Sequence, residues 1–210
     1  MNYPEFFDQV PVIRLHDPLA VFLGASDDGI LEYRYLDAVK LAGHSCPTVA
    51  SAWNMTRLAL RALYDNALPE RGKITVSLRG RDDEGVAGVV GNVVSLLTGA
   101  AAQGGFKGLA GQFRRQNLMR FGAEIPLELR FARLDCEGTV DVACDARRIP
   151  ADPEMPVLLQ QCLDGSADAE AFKRFGRLWQ ERVRCLLLDH GDDPEVFVVR
   201  LNLAASPGQA

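Results

Sequence analysis

The spacing of apolar and polar residues changes several times along the chain, and each change marks a predicted element. "DPLAVFLGA" (17–25) predicts a short helix with Asp17 as its cap, Pro18 at its first position and Gly24 as its stop. "GILEYRYL" (29–36) alternates apolar and polar residues and predicts a strand. Asp37 stands ready to cap a brief helix, "AVKLA", which Gly43 ends. Pro47 suits the first position of a long helix, with Cys46 as its cap. Val49, Ala52, Trp53, Leu58, Leu60 and Leu63 give that helix an apolar pattern to about Tyr64.

"GKITVSLRG" (72–80) predicts a strand from alternating Ile74, Val76 and Leu78. "RDDEGVAGVVGNVVSLLTG" (81–99) predicts a second helix with Asp82, Asp83 and Glu84 at its positive end. Past a Gly-rich loop (99–111), residues 124–134 and 138–146 predict two strands joined at Glu137-Gly138. Residues 169–191 predict an amphipathic helix with Phe172, Phe175, Trp179, Val183, Leu186 and Leu187 on one face and Gly191 as its stop. A last strand is expected at 195–203 and a frayed tail at 204–210.

From Pro47 onward the order is helix, strand, helix, three strands, with helices inserted before the last of them at about 153–191. This is an α+β pattern around a mainly antiparallel sheet; the βαβ alternation of a doubly wound fold is missing. A chain of 210 residues, 48% hydrophobic, suits a single domain with one elaboration.

The net charge of −5 argues against a nucleic-acid binder held by phosphate neutralisation. No apolar run approaches the roughly 18–20 residues of a membrane span. The acidic, Pro-broken N-terminus lacks the pattern of a signal peptide, so a cytoplasmic location is expected. The five cysteines, Cys46, Cys136, Cys144, Cys162 and Cys185, form no CxxC pair, which fits reduced thiols and excludes a four-cysteine zinc ribbon.

"GHSCP" (43–47) draws attention because a helix N-terminus stabilises a thiolate, and His44 stands two residues from Cys46. Imidazole and thiolate begin a zinc site, and Asp83 or Glu84 at a neighbouring helix mouth would extend it. The plainer reading makes Cys46 a buried apolar residue and the acids dipole partners. Gly85, Gly88 and Gly91 recur every third residue, for which close helix packing is the preferred reading. The loop "TGAAAQGGFKGLAG" (98–111), with Gly105, Lys107 and Gly108, offers backbone N–H groups and a cation to a phosphate or carboxylate. A loop that merely lines a pocket is preferred, since no GK[ST] triplet opens a helix. His190, ending a helix, reads as structural.

The segment 43–47 opening a long helix, followed by "LLTGAAAQGGFKGLAG" (96–111), resembles the FmdE family over roughly residues 15–145. Its members are small accessory chains of the formylmethanofuran dehydrogenases. The resemblance implies an α+β domain like the catalytic domain of glyceraldehyde-phosphate dehydrogenases, without that activity. It also implies a metal, usually zinc, with His44 and Cys46 as candidate ligands and His16 as a less favoured third. It further implies a homodimer and association with a molybdenum or tungsten enzyme.

Ala100 stands where the family has a cysteine, "GRDDEG" replaces another, and the C-terminal zinc finger of some members is missing. The expected function is zinc binding. The alternatives are a metal-free accessory module and a phosphate- or nucleotide-binding enzyme using the Gly-rich loop.

Overall fold

The computed structural model describes residues 3–65 and 67–202. A 3-10 turn, Glu5–Gln9, leads into β1 (Ile13–His16), which pairs antiparallel with β2 (Ile30–Tyr33) around the short helix α1 (Pro18–Phe22). Asp17 caps α1 by accepting from Leu19 N at 3.0 Å, with Pro18 in the first turn as expected. The apolar pattern does not predict strand β1, which is only four residues long and follows a Pro-broken segment.

Helix α2 (Tyr35–Ala42) starts earlier than expected, because Asp37 acts from the third helical position, accepting from Arg34 N at 2.8 Å. Helix α3 (Pro47–Tyr64) has Cys46 as its N-cap. It is buried nearly all round over Val49–Thr56, with Trp53, Val49 and Ala52 fully covered. Such a helix has no solvent stripe to present and belongs in the interior. It packs on β5, β6 and β7 on one side and against α2, α4 and α6 on others.

The main sheet has the order β4-β3-β5-β6-β7, made of β3 (Ile74–Leu78), β4 (Met119–Arg120), β5 (Leu129–Arg133), β6 (Thr139–Cys144) and β7 (Phe197–Asn202). Only β3 and β4 pair in parallel; the rest are antiparallel, as the α+β reading expects. Alternation puts Ile74, Val76 and Leu78 inward. At β5–β6 the register sets Arg130 opposite Asp141, which pair at 2.7 Å.

Helix α4 (Ala87–Thr98) is shorter than the expected 81–99. Gly85 takes a left-handed φ of 55°, which interrupts the helical path and leaves Asp82–Glu84 in the preceding turn rather than on the helix. The three glycines therefore do different things. Gly91 is the most tightly packed of them, and its neighbour is not the expected helix: a Cβ there would lie 2.6 Å from Phe121 Cζ, a side chain just after β4.

Before β7 come α5 (Met155–Asp164) and α6 (Ala169–Arg184), the latter running into a π turn, Cys185–Asp189. Val183, Leu186 and Leu187 are buried, whereas Phe172, expected on the same face, is exposed. The expected strand end at residue 203 and the expected tail at 204–210 lie outside the described residues.

Candidate functional site

Asp17 does more than cap α1. Its Oδ2 accepts from Arg71 Nη1 at 2.7 Å and its Oδ1 from Arg115 Nη2 at 2.6 Å, and all three side chains are largely buried. Burial by itself raises the carboxyl pKa. The hydrogen bond from Arg71 and the charges of Arg115 and Arg71 outweigh it and hold Asp17 below its ordinary 3.8.

Arg71 is fixed from behind as well. It donates through Nε to Leu97 O and through Nη2 to Leu96 O, both at 2.9 Å, where the last turn of α4 leaves carbonyls without helical partners. Arg115 is held by its backbone: its N donates to Phe106 O at 2.8 Å and its O accepts from Ala101 N at 3.0 Å. The hub thus ties the β1–β2 hairpin, the end of α4 and the 99–118 loop together.

These residues border a cleft of about 750 Å³ whose lining includes Arg71, Gly72, Lys73, Lys107, Arg114 and Arg115. Glu70 is the one acid in that lining, and Pro18, Phe113, Leu118 and Leu134 supply apolar wall. Arg115 is 7% exposed, and its Nη1 has no hydrogen-bond partner among the described residues. Gly72 makes room for that nitrogen: its φ is 80°, and a Cβ there would overlap Arg115 Nη1. Burial pushes the Arg115 pKa down, and the neighbouring Asp17 charge counters part of that.

The predicted site residues divide. Lys107 lines the cleft. Gly105 and Gly108 shape its loop by close packing on the backbone of Gln116 and Gln112 respectively. The metal candidates are not gathered. Cys46 is 8% exposed and belongs to the apolar core. The His44 Nδ1 lies 3.0 Å from Ala42 O, a contact with its own turn.

His16 is set against Gly29, its backbone tied to Pro69 and Arg71. Asp83 pairs with Arg81 at 3.1 Å. Glu84 lines a separate cavity of about 350 Å³ with Arg79, Glu128 and apolar residues of β3 and α4. Among the described residues no group of three or more His, Cys, Asp or Glu side chains is disposed to hold a metal ion.

Sequence reasoning does not reach Arg71 and Arg115 as partners of Asp17. The pairs span 54 and 98 residues, and nothing local announces them. The available signal is the density of cations in 71–73 and 107–115, which brackets the loop already singled out. No protein-family model matches the chain, and no curated protein matches it.

Proposed function

We propose that the protein binds an anionic small-molecule ligand, bearing a phosphate or carboxylate group, in the cleft over Arg71 and Arg115. The observation that carries this reading is the convergence of five cations, Arg71, Lys73, Lys107, Arg114 and Arg115, on one cleft in whose lining Glu70 is the one acid. Guanidinium and ammonium groups gathered in this way are the natural complement of an oxyanion.

In a chain of net charge −5, such a local excess of positive charge also draws anions to one place. The test is the thermal midpoint in inorganic phosphate against chloride at equal ionic strength. A rise of about 5 °C or more at a hundredfold excess over Kd is expected. No difference between the salts contradicts the reading.

A second reading keeps zinc at His44 and Cys46. What supports it is Cys46 at the mouth of an 18-residue helix without a side-chain cap hydrogen bond, and the resemblance to the FmdE family. One chain supplies two donors, so the remaining ligands come from water or a second copy, in keeping with the homodimer that the resemblance implies. Metal analysis of the purified protein decides it: about one zinc per chain, lost in Cys46→Ser, supports this reading, and metal-free folded protein contradicts it. The run of helix, strand and helix, followed by strands of a mainly antiparallel sheet with helices inserted before the last, likewise supports kinship with that family.

A further inference from the structure

We infer that the ligand of the cleft is a diphosphate-type polyanion rather than a monocarboxylate or a lone phosphate. This deepens the anion-binding reading and rests on it. Charge balance in two layers carries the inference.

In the buried layer Arg71 and Arg115 share the single carboxylate of Asp17, leaving one formal positive charge where solvent screens poorly. At the rim, Lys73, Lys107 and Arg114 are exposed and add three, and Glu70 removes one. Five cations against two carboxylates leave an excess of three. Asp135, which also feels the charge of Lys73, is paired with Arg133 at 2.7 Å and is not part of the lining.

A monocarboxylate meets one of those three charges. A single phosphate brings about −1.5 to −2 near neutral pH, and a diphosphate ester about −3, which matches the excess. The volume also fits: about 750 Å³ is within the range of small-molecule sites, roughly 300–1,000 Å³, and exceeds the need of one phosphate. The buried and rim cations form two separate sets, which suits two phosphoryl groups. The guanidinium of Arg115 lies buried at depth, and the exposed side chains of Lys73, Lys107 and Arg114 line the rim. Phe113, half-buried with its ring 5.1 Å from that of Phe22, lines the cleft together with Leu118 and Leu134 and gives the organic part of the ligand an apolar wall.

The test is calorimetric titration of the full chain with inorganic pyrophosphate, ADP, geranyl diphosphate, inorganic phosphate and AMP at fixed ionic strength. Pyrophosphate and at least one of the two esters are expected to bind at least tenfold more tightly than phosphate and AMP. Preference for ADP over geranyl diphosphate, or the reverse, identifies a nucleotide or an isoprenoid as the source of the diphosphate.

Lys107→Ala and Arg114→Ala, both exposed, are expected to weaken pyrophosphate binding about fivefold each with the thermal midpoint unchanged. Glu70→Gln is expected to strengthen it. Equal affinity for phosphate and pyrophosphate overturns this inference while leaving an anion site in place. Absence of saturable heat with any of the five overturns both.

Discussion

A methyl group added at Gly72 would meet the Arg115 guanidinium and would also force a side chain into a φ of 80°. Gly72→Ala is therefore expected to cost about 3 kcal/mol or more, combining backbone strain with displacement of a buried ion pair. The same variant is expected to lose phosphate binding, which a merely strained turn would leave intact. Urea unfolding and a binding titration on one preparation separate the two outcomes.

Asp17 carries the pH dependence of this hub. Its pKa is lower in the folded state, so its contribution is fully present above the ordinary 3.8 and is lost as pH falls through the folded value. Stability is expected to drop below about pH 4, and Asp17→Asn is expected to flatten that acid limb while lowering stability at neutral pH by about 3 kcal/mol. An acid limb of unchanged steepness in the variant would assign the pH dependence elsewhere. Half of this residue's role is legible in the sequence, where Asp-Pro alone identifies a helix cap. Its arginine partners depend on the long-range fold, which no local pattern encodes.

Among the elements, the central helix is the most legible. Pro47 and the run of apolar residues after it fix α3, whose polar stripe, Asn54, Arg57 and Arg61, is taken up by Gly191 and Asp192. The ends are less so. Gly85 stops the helical path before α4 because it adopts a left-handed φ, yet glycine inside a helical pattern reads equally well as a packing site, the role Gly91 fills. The aromatic face of α6 misleads in a similar way. Spacing places Phe172 beside Trp179, but only the second half of that face reaches the core, and Trp179 is pinned by donating Nε1 to Ser45 O at 3.0 Å.

Gly176, within α6, has open space where a Cβ would stand and no left-handed φ. Gly176→Ala is expected to stabilise the protein by about 1 kcal/mol, read as a rise of about 2–4 °C in Tm. A fall in Tm would mean that position 176 is not the open helical site described.

At the scale of the whole molecule, residues 17, 71 and 115 meet through the parallel bridge of His16 with Glu70 and the parallel pairing of β3 with β4, which join segments far apart in sequence. The α+β class follows from element order, since a helical pattern between each pair of strands would be needed for a parallel sheet. No helix among the described residues is long and apolar enough to cross a membrane. The positive cleft contrasts with a chain of net charge −5, so anion binding is expected to weaken as ionic strength rises even though the protein as a whole repels anions. Binding insensitive to salt would argue that the rim cations take no part.

Equilibrium dialysis of the full chain against radiolabelled phosphate tests the proposed anion site most directly. Saturation is expected near one phosphate per chain, competed by pyrophosphate and lost in the double variant Lys107→Ala/Arg114→Ala with its fold intact. Phosphate that stays equally distributed across the membrane, or that binds the double variant as well as the parent, would contradict it.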